Sequence, residues 1–193
     1  MLDVPSNVVQ KKRVAWTRPP STWSKINFDA GFDGTAFAAA VYRNDKGTII
    51  QARTDLGYAP DAFTAEAKAG MLAIDMAVDL KLEKVIFEGD ARNVICSLKG
   101  GQDAVEWRAR PVTEACKNKM TGKHLWKMVS IARNCNVAAH RLAIWAKENG
   151  RIGIIPTCKI PLQVLCDLGS NASSCSDQRN CDLCNDFQVN AFD

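Results

Sequence analysis

Long apolar runs are missing from this chain of 193 residues, although 47% of its residues are hydrophobic. No stretch approaches the roughly 18 consecutive apolar residues that a membrane-spanning helix needs. The first residues, Met-Leu-Asp-Val-Pro-Ser, also lack the charged and apolar regions of a secretory signal peptide. We therefore expect no membrane association and an intracellular protein, nuclear or cytoplasmic. The length favours one domain with extra segments at its ends.

Histidine is scarce, and this limits the metal sites that the cysteines could form. His124 and His140 both lie outside the C-terminal region that holds five of the eight cysteines, which are Cys158, Cys166, Cys175, Cys181 and Cys184. A zinc site there would need four cysteine ligands; the alternative, which the sequence favours, is a loose reduced tail. The other three cysteines fall within apolar helical patterns, where reduced cysteine behaves as a small hydrophobic residue. A disulfide framework is therefore not expected.

Charge is unevenly distributed along the chain. Residues 148–193 hold six acids and three bases, which leaves residues 1–147 with a net charge of +7 against +4 for the whole chain. A basic body is typical of proteins that bind polyanions, and it is also common in proteins that bind none.

The N-terminal half of the chain contains turn sequences that separate short strand patterns. Residues 1–23 include two adjacent prolines and show no apolar period, which predicts an extended lead-in. Turn sequences around Gly34 and Gly47 then join three strand patterns into an antiparallel meander. The strands are predicted at 24–32, 35–43 and 47–55.

Helical and strand patterns alternate after the meander. Apolar residues recur every three or four positions over residues 61–80, which predicts a helix. Further helices are predicted at 91–98, 108–120 and 136–149, and further strands at 84–89 and 125–130. This order predicts an α/β fold with a five-stranded mixed sheet, in which parallel strands follow three antiparallel ones. Residues 24–149 would form this domain, and residues 150–193 an irregular cysteine-rich tail.

Three carboxylates stand at the ends of these apolar elements. Asp29 lies in the first strand, Glu66 in the first helix and Asp90 directly after the fourth strand. Separate elements that each carry one acid can converge on a divalent cation, which predicts a metal-dependent nuclease.

Each carboxylate also has an interpretation without function. Asp29 could face outward from a half-exposed strand, and Glu66 could be a first-turn acid favoured by the helix dipole. Asp90 could cap the helix that follows it. The depletion of aspartate in strands favours a functional Asp29, but the residues taken singly leave these alternatives open.

Four sequence motifs occur in an order and spacing that match a known family. They are Lys25-Ile-Asn-Phe-Asp-Ala30, Ala65-Glu-Ala-Lys-Ala69, Phe87-Glu-Gly-Asp90 and the segment Asn136–Ala146. Together they resemble the RNase H type-1 domain, specifically its plant retroelement-like branch, over about residues 24–149. The resemblance implies helices on both faces of the sheet, and cleavage of the RNA strand of RNA–DNA hybrids with two divalent ions, Mg²⁺ or Mn²⁺, held by four acidic residues. It assigns three of these to Asp29, Glu66 and Asp90.

The fourth position departs from the family, because His140 stands where the family's Ala-Asp-x-Leu-Ala has aspartate. By the resemblance, Asp29 would bridge both ions, Glu66 and Asp90 would hold one, and His140 would serve a weaker second site. Imidazole binds Mg²⁺ poorly and Mn²⁺ better, which predicts a shift in metal preference. The alternative is that His140 is an ordinary helix residue facing the sheet edge.

The resemblance also implies a surface for the nucleic acid. Ala30 and Gly31 would let its backbone approach the site, unless these small residues only satisfy a strand end. Basic residues around the helix after Trp107 could contact phosphates, although a solvated basic face is the alternative. They are Arg108, Arg110, Lys117 and Lys119.

Three functions are open at this point. The first is a metal-dependent endonuclease, expected to be a monomer, that acts on RNA–DNA hybrids. The second is a catalytically weakened nucleic-acid-binding module derived from a retroelement, since His140, Ser130 and Phe63 all depart from the active pattern of the family. The third is a protein-interaction element that acts through the C-terminal tail.

Overall fold

The structure is a computed structural model that describes residues 15–100 and 107–165. These residues form a six-stranded mixed sheet with helices on both faces. The strands are β1 (Ser24–Phe32), β2 (Ala36–Arg43), β3 (Ile49–Gly57), β4 (Val85–Gly89), β5 (Trp126–Ser130) and β6 (Gly153–Ile155), in the spatial order β5-β4-β1-β2-β3-β6. The helices are α1 (Ala62–Asp79), α2 (Arg92–Leu98), α3 (Arg110–Met120), α4 (Val137–Glu148) and α5 (Leu162–Leu165). The predicted mixed sheet and its helices are confirmed.

Strand β1 is central, with an antiparallel neighbour on one side and a parallel neighbour on the other. Asp29 pairs with Ala39 of β2, and Asn27 pairs with Glu88 of β4. Because α1 packs on one face of the sheet and α4 on the other, every residue from 25 to 29 is buried. Only 3% of Asp29 is exposed, so the alternative of an outward-facing strand residue is wrong.

Helix α1 begins after a capping aspartate and packs on the apolar cluster that contains Ile26 and Phe28. The side chain of Asp61 caps it by accepting a hydrogen bond of 2.7 Å from the Thr64 backbone N–H. Its buried face packs against Ile26 and Phe28 of β1, both fully buried. This packing holds the first turns of α1 over the end of β1.

The number of strands in the prediction was wrong, because β6 adds a sixth at the outer edge of β3. It lies in the region predicted to be irregular, where Ile155 packs with Ile160 and Val164 in the cluster beneath α4. Cys158 in the same region is disulfide-bonded, so the expectation of a wholly reduced tail is also wrong. The predictions for residues 1–14 and 166–193 lie outside the described residues.

Among the described residues, no helix is both long enough and apolar enough to span a membrane.

Candidate metal centre

Asp29, Glu66 and Asp90 converge at one edge of the sheet. Each contributes one carboxylate oxygen to a group whose members all lie within 4.8 Å of one another. Parallel pairing of β1 with β4 brings Asp29 level with Asp90, since both follow the paired residues Asn27 and Glu88 by two positions. The structure thus brings together the three acids that the sequence singled out.

Two glycines set the close approach of the elements that carry these acids. A Cβ atom on Gly89 would lie 2.8 Å from the Phe28 ring, and one on Gly70 would lie 2.9 Å from Leu98 Cδ1 and 3.5 Å from the same ring. Gly89 directly precedes Asp90, and Gly70 follows Glu66 by one helical turn. The missing side chains therefore let α1 and β4 close around Phe28.

Burial and mutual repulsion favour the protonated forms of two carboxyl groups. Desolvation, followed by the negative charge of Glu66, raises the pKa of Asp29 to about 9. Desolvation, followed by the charge of Asp90, raises the pKa of Glu66 to about 8, although the Ala30 backbone N–H donates a hydrogen bond to it.

The three carboxylates fit a hard divalent cation. Glu66 Oε2 is buried and has no hydrogen-bond partner among the described residues. A cation that prefers oxygen ligands would satisfy this atom and offset the repulsion that raises the two pKa values. The donor set therefore suits Mg²⁺ or Mn²⁺.

His140 of α4 contacts Asp29 at the margin of the centre. Its Nδ1 atom lies 2.8 Å from Asp29 Oδ2, and 34% of its side chain is exposed. Desolvation, followed by the positive charge of Arg133, lowers the pKa of His140, which favours a neutral imidazole at neutral pH. Within the described part of the chain, the group that lies within 4.8 Å does not include His140.

Asn136 and Arg133 also belong to the centre, and sequence reasoning gave neither of them a role. Asn136 Nδ2 lies 3.0 Å from Asp90 Oδ1, and Arg133 Nε lies 3.9 Å from Asp90 Oδ2. The signal for Asn136 was its place in the last family-like segment, where it was taken only as the start of a helix.

The two small residues after Asp29 have explanations within the fold. A Cβ atom on Gly31 would lie 1.9 Å from the Phe37 ring, so any larger residue would have to displace this ring. Ala30 is partly buried against the core, and its N–H group serves Glu66.

The four predicted phosphate contacts lie on α3 and on the 3-10 turn Trp107–Ala109 before it, not on the elements that carry the acids. The Arg108 guanidinium lies 5.2 Å from the Trp107 ring centre, and Arg110 is exposed. Lys117 is partly buried, and Lys119 pairs with Asp75 at 2.6 Å. The two arginines are therefore better placed for phosphate than the two lysines.

An open cleft of about 420 Å³ adjoins the same turn. Its walls include two aromatic side chains, Tyr58 and Trp107, which are 76% and 73% exposed. Lys68 and Arg108 contribute the cations of its lining. Exposed rings beside cations are suited to stack on nucleotides and to contact phosphates.

Comparison with known proteins gives a family and a fold. A profile of the family described as reverse transcriptase-like matches residues 27–146. RNase H1 from the halophilic archaeon Halobacterium salinarum is 25% identical, with a TM-score of 0.61 over 65% of this chain and 98% of that one. The N-terminal RNase H domain of a Mycobacterium tuberculosis protein is 20% identical, with a TM-score of 0.60 over 67% and 96%. LC11-RNase H1, solved in complex with an RNA/DNA hybrid, is 16% identical, with a TM-score of 0.59 over 66% and 98%. No curated protein sequence is significantly similar.

Proposed function

Because the chain belongs to the reverse transcriptase-like family and has the RNase H fold, we propose that it is a metal-dependent endonuclease that cuts the RNA strand of RNA–DNA hybrids. The observation that carries the proposal is the group of three carboxylates within 4.8 Å at the end of β1 and β4. The choice of substrate is supported by the RNase H1 neighbours, of which LC11-RNase H1 is seen with a hybrid.

Asp29, Glu66 and Asp90 would hold a divalent cation. When bound, the cation acts as a Lewis acid toward the scissile phosphate and the attacking water. The protein contributes by holding the three carboxylates within 4.8 Å of one another, with Asp29 buried and Glu66 and Asp90 half-buried, and by releasing the protons that two of them retain. Because ligands must be deprotonated, metal affinity should increase with pH toward the pKa values of about 8 and 9.

His140 would assist at a second, weaker ion. Its neutral imidazole, held 2.8 Å from Asp29, would supply a nitrogen ligand at the position of the family's fourth acid. Nitrogen ligands suit Mn²⁺ better than Mg²⁺. We therefore expect higher activity in Mn²⁺ than in Mg²⁺.

The hybrid would lie across the first turns of α1. Thr64 and Lys68 line the aromatic cleft, and each is two positions from Glu66, so they lie about 200° around the helix from it. The acids and the cleft thus face opposite sides of one helix, about 10 Å across, and one strand of a duplex could lie on each side. Contacts with shape, phosphates and 2′-hydroxyls would give no sequence specificity.

Cleavage of a labelled hybrid in Mg²⁺ and in Mn²⁺ tests this proposal. Asp29→Asn should reduce cleavage at least about 100-fold while leaving the fold intact. Asp55→Asn makes the same change on β3 at an exposed position, and it should cleave as the wild type does. A wild type that is inert in both metals, or equal rates in both variants, would overturn the proposal.

A binding module with weakened catalysis is the second candidate. The observation that favours it is His140, which stands where the family has its fourth acid. One of its ring nitrogens, Nδ1, is already hydrogen-bonded to Asp29. Salt-dependent binding of the hybrid without turnover, by protein that binds Mn²⁺, would support this candidate over the nuclease.

A further inference from the structure

A buried polar network lies beside the metal centre, between β1, β4 and the start of α4. Four polar residues in it are 1–6% exposed: Lys25, Asn27, Glu88 and Asn136. Burying polar groups is unfavourable unless each is hydrogen-bonded. The connections within the network therefore decide whether it belongs to the fold alone or to the site as well.

The network runs without a break from an ion pair to a carboxylate of the metal centre. Lys25 Nζ lies 2.8 Å from Glu88 Oε1, and Asn27 Nδ2 donates to Glu88 Oε2 at 3.0 Å. Asn27 Nδ2 also lies 3.4 Å from Asn136 Oδ1. Asn136 Nδ2 then donates to Asp90 Oδ1 at 3.0 Å and to the Phe28 carbonyl oxygen at 2.9 Å.

The segment before β1 closes the other end of the network. Trp16 Nε1 donates to Asn27 Oδ1 at 3.0 Å, and its ring lies 5.1 Å from Lys25 Nζ and 4.4 Å from the Arg43 guanidinium. The Thr17 carbonyl oxygen accepts from Lys25 Nζ at 2.7 Å. Residues 16 and 17 are thus bonded to two members of the network.

The indole gives the network a direction. An indole N–H can only donate, whereas an amide group has one oxygen that accepts and one nitrogen that donates. Trp16 therefore holds Asn27 with its oxygen toward the indole and its nitrogen toward Glu88 and Asn136. Asn136 must in turn present its oxygen to Asn27 and its nitrogen to Asp90.

We propose that Asn27 and Asn136 are positioning residues for the metal centre, and that Trp16 of the lead-in sets their orientation, so that the network holds Asp90 through Oδ1 and thereby orients its carboxylate toward the cation. This inference rests on the proposed metal centre. It makes the segment before β1 a determinant of metal affinity, although that segment carries none of the acids. Groups that orient a ligand in this way typically change metal affinity by about 10–100-fold when they are removed.

Titration of Mn²⁺ into the metal-free protein by calorimetry, without substrate, tests the inference. Trp16→Phe keeps an aromatic ring beside Lys25 and Arg43 but removes the N–H donor together with the five-membered ring that carries it; it should weaken Mn²⁺ binding several-fold. Asn136→Ala removes the last donor and should weaken binding by about 10-fold or more. The rise in Tm on adding Mn²⁺ should shrink in the same order, which gives a second readout.

Trp126→Phe is the matched control. It removes an indole N–H that donates to the Leu82 carbonyl oxygen at 3.0 Å, so it loses the same kind of bond on β5. Its Mn²⁺ affinity should equal that of the wild type even where its stability falls. If Trp16→Phe and Asn136→Ala bind Mn²⁺ as tightly as Trp126→Phe, the network has no positioning role and the inference is wrong, whereas the nuclease proposal stands if the wild type still cleaves. A wild type that binds no Mn²⁺ would overturn both.

Discussion

Asp29 and Glu66 are the two carboxyl groups whose ionisation the fold makes unfavourable. Their pKa values are raised to about 9 and 8, first by burial and then by neighbouring carboxylates. A carboxyl group whose pKa is higher in the folded state stabilises the fold fully below its unfolded pKa near 4, and this stabilisation is lost as pH rises toward the folded pKa. The metal-free protein should therefore lose stability between about pH 4 and pH 9, and a divalent cation should restore it.

Asp29→Asn should stabilise the metal-free protein at high pH. The amide carries no charge, so the variant avoids the repulsion and desolvation that the wild type meets, and the gain should reach about 1–3 kcal/mol at pH 8. At pH 5 the gain should be smaller. The carboxyl group of the folded wild type is then still protonated, and pH 5 lies only about one unit above the unfolded pKa, so the wild type has lost little stability. Thermal unfolding in EDTA at both pH values measures this, with Asp55→Asn as control. A loss of stability at both pH values would contradict it.

His140→Asp should raise activity in Mg²⁺. A carboxylate there would restore an oxygen ligand of the kind that Mg²⁺ prefers, and the ratio of Mn²⁺ to Mg²⁺ cleavage rates should fall by about 10-fold. His124→Asp introduces the same charge beside Leu125, away from the acids, and should leave the ratio unchanged. An equal ratio of Mn²⁺ to Mg²⁺ cleavage rates in the wild type and in His140→Asp would show that His140 does not take part in metal binding.

The three acids could be found from sequence because each stands in a recognisable context, while their supporting residues could not. Asn136 directly precedes α4, where a capping role is the usual interpretation, yet its side chain makes no capping bond in that helix. It reaches instead to Asp90, 46 positions away. Contacts between side chains so far apart in sequence depend on how the strands pair and where the helix packs. The sequence pattern gives neither of these.

At the scale of elements, the spacing between α1 and β4 depends on glycine. Gly89→Ala should destabilise the protein by about 1–3 kcal/mol, because the added Cβ would lie 2.8 Å from a ring that is fully buried. The shift of β4 should also move Asp90 and weaken Mn²⁺ binding. Denaturant unfolding and Mn²⁺ titration measure the two effects.

Gly57→Ala provides the control for this change. Gly57 ends β3, and a Cβ atom there would meet nothing within 4 Å in the described parts of the chain. Stability in Gly89→Ala as high as in Gly57→Ala would show that the glycine does not set the spacing.

Most elements were predictable because their apolar patterns are long. Strands β1 to β5 and helices α1 to α4 begin and end within a few residues of the predicted positions. Helix α3 starts at Arg110 instead of Arg108 because a 3-10 turn occupies residues 107–109. Strand β6 was missed because it has three residues, of which only Ile155 is buried, and so short a segment shows no alternation.

At the scale of the whole molecule, we propose that the folding unit extends beyond residues 24–149. Trp16 bonds to β1 at one end, and Ile155, Ile160 and Val164 enter the cluster under α4 at the other. A fragment of residues 24–149 should be less stable than one of residues 15–165 by at least about 3 kcal/mol, since fully burying one large apolar side chain contributes about 1.5–3 kcal/mol. Equal midpoints of denaturant unfolding would place the boundary where the sequence suggested.

We propose that this chain hydrolyses the RNA strand of a hybrid with a cation held by Asp29, Glu66 and Asp90. The most direct measurement supplies one labelled RNA in Mn²⁺ as a hybrid with DNA, as a duplex with RNA and as a free strand, and identifies the ends of the products. We expect cleavage of the hybrid alone, and we expect EDTA to abolish it. The products should carry no 2′,3′-cyclic phosphate, because water and not the 2′-hydroxyl is the attacking group. An intact hybrid, equal cleavage of the free RNA, or cyclic phosphate ends would contradict it.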